Sequence, residues 1–310
     1  MSARPWSEAW HAALYGPGGF FLRSRPLDHF RTNVENPLYA EAVRSLAERV
    51  DAALGQPDPF DLVDLGAGGG ELLRALSAVG VASRWRLTGV DLAPRPVDLP
   101  AEIGWSTGQP GARGTTGVIG LLLANEWLDS VPLDVVVDGR LVLVEPDGTE
   151  QLGPAAAGEE LAWAARWWPG GGRVEIGRSR DRAWADAVAQ LRRGLAVAVD
   201  YGHVSTTRRS TLTGYRAGRQ VRPVPDGTQD LTAHVAFDAC AAATRGRLLR
   251  QADALAWLGI SAGLPAATDP SYVVGLQRAA QGRELLDAAG LGGFTWLVQE
   301  VGLPAGSILP

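Results

Sequence analysis

DLVDLGAGGGELL, residues 61–73, places four glycines within five positions, directly after an apolar run. Glycine lets a backbone adopt left-handed conformations and approach a ligand with no Cβ in the way. One acid precedes the glycines, Asp64, and another follows them, Glu71. The run PFDLVDLG predicts a short buried strand, GGGELLRALSAVG a helix, and RWRLTGVDL a second strand. Strand, glycine turn, helix and strand make a βαβ unit, and therefore a parallel sheet.

Two ligand classes compete for this turn. A dinucleotide fingerprint, G-x-G-x-x-G, requires glycine at position 71. Glu71 stands there instead, and its carboxylate at a helix start would repel a pyrophosphate. The other pattern is an acid followed by x-G-x-G-x-G, which Asp64-Leu65-Gly66-Ala67-Gly68-Gly69-Gly70 matches in full. That pattern serves S-adenosylmethionine, which has an ammonium, a sulfonium, a carboxylate and a ribose diol, and no phosphate. Asp91 ends the next predicted strand, where a carboxylate can accept both ribose hydroxyls. Together Asp64, Glu71 and Asp91 favour the sulfonium nucleoside over NAD.

Composition narrows the chemistry. The 310 residues contain no lysine, so Schiff-base catalysis and a P-loop lysine are excluded. Cys240 is the single cysteine, so no intrachain disulfide or cysteine-based zinc cluster forms, and no metal is expected from four scattered histidines. A net charge of −5 argues against nucleic acid as a partner. No apolar run reaches membrane-spanning length and the N-terminus lacks a signal-peptide core, so the expected location is cytoplasmic.

The rest of the chain extends the α/β pattern. Residues 1–37 read as a loop-rich segment, and apolar residues from Leu38 to Leu54 predict a helix ending at Gly55. LDVVVDGRLVLVEPDG predicts a hairpin turning at Asp138-Gly139. Residues 153–193, rich in alanine and tryptophan, read as mostly helical, and residues 203–230 as a long functional loop. The tryptophans, with Trp163, Trp167 and Trp168 near helical spacing, fit either a core or a partner-facing surface.

In open parallel sheets ligands bind beyond the carboxyl ends of the strands. IGLLLANEWLD delivers Asn125, Glu126 and Asp129 to such an end, and LAVAVDYG delivers Asp200 and Tyr201. Methyl transfer requires alignment of a nucleophile and removal of the proton on its lone pair. A guanidinium is a poor nucleophile that paired carboxylates can bind and polarise. Glu126 and Asp200 are the candidate catalytic pair.

DLGAGGGEL, NEWLDSVPL, VDYG, TLTGYRAGR and DLTAHVAFDA resemble, in this order, the motifs of MidA-like methyltransferases. That family includes the mitochondrial protein that methylates an arginine of a complex I subunit. The likeness covers about residues 60–260. It departs near the N-terminus, where GFFLRSRPLDHFRTN replaces a threonine-serine-proline-glutamate segment, with Arg23 and Ser24 roughly in place. Gly218 stands where the family commonly has histidine, and Asp91 where it usually has glutamate.

The resemblance implies an α/β, Rossmann-like class I methyltransferase fold. Its sheet would be seven-stranded and mostly parallel, with helices on both faces and an α-rich substrate insertion. Residues 1–56 would form an N-terminal helical and loop segment covering the cleft. Residues 57–310 would form the cofactor domain, with insertions at about 134–193 and 203–260. Candidate contacts to S-adenosylmethionine are Asp64, Gly66, Ala67, Gly68, Gly70, Asp91, Leu92 and Asn125. Candidate substrate contacts are Asp129, Tyr201, Tyr215, Asp230, Thr232 and His234. The implied activity is methylation of a protein arginine. A catalytically silent assembly factor and a small-molecule methyltransferase are the alternatives.

Overall fold

The computed structural model describes residues 2–23, 32–108 and 116–310. Ser24 and His29 lie outside them. The described residues divide into two compact units, one drawn from segments 31–125, 187–200 and 246–310, the other from 1–30, 126–186 and 201–245.

The first unit holds the glycine turn. Its strands are β1 (Phe60–Leu65), β2 (Trp85–Asp91), β3 (Gly104–Thr107), β4 (Val118–Asn125), β5 (Leu191–Asp200), β6 (Arg247–Arg250) and β7 (Thr295–Val301), in the spatial order β6-β7-β5-β4-β1-β2-β3. The five from β5 to β3 pair in parallel, whereas β7 runs antiparallel to both β5 and β6, so the sheet is mixed. Strand β1 is buried along its whole length, as a central parallel strand requires. Helix α1 (Pro37–Ala53) starts with Pro37 in its first turn and an Asn36 side chain accepting the Leu38 N–H, two strong start signals. Its apolar face, Leu38, Val43, Leu46 and Val50, packs with Leu73 and Leu76 of helix α2 (Glu71–Val79) and with Leu62, Leu121, Leu123 and Val197 of the sheet.

The second unit is built mainly on strands. Residues 134–137 and 140–144 form the predicted hairpin, turning at Asp138 (φ 49°) and Gly139 (φ 73°). Strands 4–5, 150–155 and 173–176 complete a five-stranded sheet with it. The expectation of an α-rich insertion is therefore corrected: helices Gly158–Trp167 and Arg178–Val188 accompany strands, and their apolar residues do not carry the architecture alone. The segment 203–230, read as a loop, is ordered around strands 213–216 and 219–221, which turn at Ala217-Gly218, and strand 230–232 beside them. An Ala-Gly turn carries a weaker hairpin signal than Asn-Gly, which is why the sequence conceals it.

The N-terminal loop reading is corrected too. Trp6–Tyr15 is a helix whose buried residues Trp6, Ala9, Trp10, Ala13 and Leu14 follow the i, i+3, i+4, i+7 rule. It packs on Leu133, Val135, Val142 and Val144. Trp163 and Trp168 lie in a separate core with Val136, Val174 and Ile176. Trp163 and Trp168 are core residues, and Trp167, half-buried, packs against the same cluster. Among the described residues, no helix is long and apolar enough to cross a membrane.

Candidate active site

The turn after β1 has the backbone that only glycine adopts readily. Gly66, Gly68 and Gly70 have φ of 70°, 54° and 78°. The N–H groups of Gly66 and Ala67 donate to the Val90 carbonyl on β2, which ties the loop to its neighbouring strand. Gly68 N–H donates to the Asp91 carboxylate at 2.9 Å, and Ala93 N–H donates to its other oxygen at 2.8 Å. Asp91 is thereby fixed at the carboxyl end of β2, beside the turn. Leu92, in the same turn, is half-buried.

Three carboxylates converge here. Asp64, 4% exposed, is the penultimate residue of β1. Glu71, at the first position of α2, folds back over the turn, so that a Cβ on Gly69 would stand 2.2 Å from its Oε1. Burial, then the charges of Asp91 and Glu71, push Asp64 up to about 8. Burial also raises Asp91, against the opposing effect of its backbone donors. A diphosphate would meet this negative field unfavourably, whereas a ligand with ammonium and sulfonium charges relieves it. The residues fit S-adenosylmethionine.

This geometry has a measurable consequence. Asp64 binds a proton more tightly in the folded chain than in the unfolded one, where its carboxyl titrates near about 4. The stability it contributes is complete below that pH and is lost as pH rises through about 8. Asp64→Asn should therefore flatten the decline in melting temperature of the ligand-free protein between about pH 5 and 8. An unchanged slope would show that Asp64 ionises normally.

Asn125 ends β4 and is held by a chain of hydrogen bonds that the sequence does not reveal. Its Oδ1 accepts from Tyr39 Oη at 2.7 Å and Asn33 Nδ2 at 3.1 Å. Asn33 Oδ1 accepts from Gln251 Nε2 at 2.7 Å, and Gln251 Oε1 accepts from Trp296 Nε1 at 2.9 Å. Asp200, 1% exposed, ends β5, where its backbone pairs with Thr295 of β7. Asn33, Tyr39, Gln251 and Trp296 were not among the sequence-predicted site residues. No spacing signal links them, because they meet only through the sheet and α1.

In the second unit another cluster forms. Asp129 Oδ2 accepts from Thr232 Oγ1 at 2.8 Å and from Tyr201 Oη, and the two hydroxyl oxygens lie 2.5 Å apart. The His234 ring stands edge-on to Tyr201, with centroids 5.3 Å apart, and burial holds its imidazole below the usual range. Asp230, 3% exposed, sits two residues before Thr232 on the same strand, with Tyr215 opposite it in register. Burial foremost, then the charges of Asp129 and Glu126, raise Asp230 far above the ordinary carboxylate range. Glu126 follows β4 directly, half-buried, in a left-handed conformation with φ 51°.

Arg180 is the residue of this cluster that sequence reasoning missed. It is fully buried, and its guanidinium donates to the carbonyls of Val131 (3.0 Å), Ala233 (2.8 Å), His234 (3.1 Å) and Asp129. It thus ties the turn bearing Asp129 to the segment that follows Thr232. One arginine among 29 basic residues gives no sign of this role.

The structure thus groups Asp64, Gly66, Ala67, Gly68, Gly70, Asp91 and Leu92 at one turn, and Asp129, Tyr201, Thr232, Asp230, Tyr215 and His234 in the other unit. Glu126 and Asp200 belong to different units.

Residues 90–253, more than half of the chain, match the family described as "Putative S-adenosyl-L-methionine-dependent methyltransferase". A Burkholderia thailandensis protein crystallised with S-adenosyl-homocysteine is 27% identical, with a TM-score of 0.76, over 98% of this chain and 89% of that one. A native crystal structure of the same superfamily from the same organism gives 26% identity and a TM-score of 0.76, covering 98% and 88%. No curated protein matches the chain in sequence.

Proposed function

The chain belongs to the S-adenosylmethionine-dependent methyltransferase family, and from that premise we propose that it methylates the guanidinium of a protein arginine. The enzyme class and the cofactor follow from the family and from the neighbour with bound S-adenosyl-homocysteine. In this reading Gly66, Ala67, Gly68 and Gly70 admit the nucleoside close to the backbone, and Asp91 accepts from its ribose. Leu92 and Asn125 line the same end of the sheet, and Asp64 complements positive charge. The cofactor supplies a methyl group activated on sulfonium; the chain's own residues supply orientation and charge.

The observation that carries the acceptor assignment is the grouping of Asp129 and Asp230 with Tyr201 and Thr232, under the charge of Glu126. Several carboxylates with hydroxyl partners suit a cationic acceptor with many N–H donors better than a neutral oxygen nucleophile. Glu126 and Asp200 are the catalytic residues of this proposal. Tyr215 and His234 complete the acceptor side. The resemblance to MidA-like enzymes points the same way.

The test is transfer of labelled methyl from S-adenosylmethionine to proteins of a source-cell lysate. The expected result is a labelled band whose hydrolysate contains methylarginine, lost in Glu126→Gln and Asp200→Asn while cofactor binding persists. Label only in small molecules would favour a small-molecule methyltransferase. Cofactor binding with no transfer would favour a silent assembly factor.

A further inference from the structure

Asn125, half-buried, ends β4 one residue after Ala124, which pairs with Leu65 of β1. Gly66 follows Leu65, so Asn125 stands beside the start of the glycine turn, within the same compact unit. What its side chain can offer a ligand is decided at the far end of a buried chain of amides.

Trp296, Gln251 and Asn33 are fully buried. An indole N–H donates and never accepts, so Trp296 Nε1 fixes which end of the Gln251 amide is the oxygen. The nitrogen end is fixed independently, because Nε2 donates to the Leu291 carbonyl at 2.8 Å and a carbonyl only accepts. That same Nε2 donates to Asn33 Oδ1, so Asn33 must turn its Nδ2 towards Asn125. The Tyr39 hydroxyl can serve either polarity, and here it also donates to Asn125 Oδ1. Two donors fill the two lone pairs of that oxygen. A half-turn of the Asn125 amide would set Nδ2 against Asn33 Nδ2, donor against donor. The side chain therefore meets a ligand through Nδ2, as a hydrogen-bond donor.

A donor at this place discriminates among the groups of S-adenosylmethionine. It finds no acceptor on the ammonium or the sulfonium. The ribose falls to Asp91 on β2, which flanks β1 on the side opposite to β4. The carboxylate remains, and it is the group that the acids Asp64, Glu71 and Asp91 suit least. We propose that Asn125 donates from Nδ2 to the carboxylate of the bound cofactor. Trp296, Gln251, Asn33 and Tyr39 are then positioning residues that set the polarity of its amide. This rests on the reading above that places Asn125 along the cofactor. The bond is charge-assisted, and stronger than one between neutral groups.

The test is calorimetry of the full chain with S-adenosyl-homocysteine and with its decarboxylated analogue, which keeps the nucleoside, the thioether and the amine. The wild type should bind S-adenosyl-homocysteine the more tightly, by about 10-fold or more. Asn125→Asp can still accept from Tyr39 and Asn33 but has no N–H to give. It should lose about 10-fold in affinity for S-adenosyl-homocysteine and none for the analogue. Gln251→Met removes the group that orients Asn33, and should reduce the preference by about 3-fold or more. Trp296→Phe, which leaves the Leu291 carbonyl to orient Gln251, should reduce it less. Both ligands bind only the folded chain, so a simple loss of stability leaves the ratio of their affinities unmoved. Equal losses for the two ligands in Asn125→Asp would overturn the proposal and leave the cofactor assignment standing. An unchanged ratio in Gln251→Met and Trp296→Phe would overturn the positioning role. A wild type that binds neither ligand would overturn the cofactor reading as well.

Discussion

Gly120→Ala is expected to destabilise the protein by about 3 kcal/mol or more, from overpacking and backbone strain together. Gly120 lies in β4 with φ 153°, and a Cβ there would stand 2.0 Å from the carbonyl oxygen of Asp61 on β1. It would also come within 2.9 Å of the Asp61 carbonyl carbon and amide nitrogen. The obstacle is backbone, so no rotamer change relieves it. Gly194 on β5 repeats the arrangement, with its Cβ position 1.9 Å from the Gly120 oxygen. Asp61, Gly120 and Gly194 are register partners in the three central parallel strands, so these strands approach only because two of the three lack a side chain. Urea unfolding monitored by tryptophan fluorescence measures the effect. A loss below about 1 kcal/mol would mean that the register of β1 and β4 is wrong, since surface-like substitutions fall in that range.

Arg180→Met should cost about 3–5 kcal/mol, in the range of other changes that strand buried polar partners. Methionine fills much of the volume but donates no hydrogen bond, so the carbonyls of Asp129, Val131, Ala233 and His234 lose a shared donor inside the protein. The guanidinium also lies 5.6 Å from the Trp10 ring centroid, a contact that methionine replaces without charge. Arg180→Lys should recover only part of the loss, because an ammonium cannot span carbonyls on two segments as a planar fork does. Hydrogen exchange should show the loss locally, as faster exchange in residues 126–133 and 230–236. A methionine variant with wild-type exchange there would remove Arg180 from its positioning role.

Much of the first unit was legible in the sequence because its signals are local. A continuous apolar strand, glycines that must adopt positive φ, a helix with an amphipathic face and a second strand ending in Asp91 occupy only residues 60–91. The helix from Pro37 to Ala53 and the Asp138-Gly139 hairpin were legible for the same reason. Where local signals are weak or mixed, the structure departs from the sequence expectation. The N-terminal helix, Trp6–Tyr15, is not legible despite its apolar spacing, because surrounding glycines and prolines obscure it. The strands of residues 150–176 are hidden because they flank the alanine-rich helix Gly158–Trp167, whose helix propensity dominates the segment.

The sequence by itself determined the chemistry of the glycine turn, since the acid, the glycines and the following carboxylate are held together by one βαβ unit. Only the tertiary structure decided which distant polar groups meet. Gln251 bonds Asn33 from 218 residues away, and Thr232 bonds Asp129 from 103 residues away. It also decided which arginine is buried. Those outcomes depend on how sheets stack and desolvate side chains, and burial of a polar group is set by neighbours that no local pattern specifies.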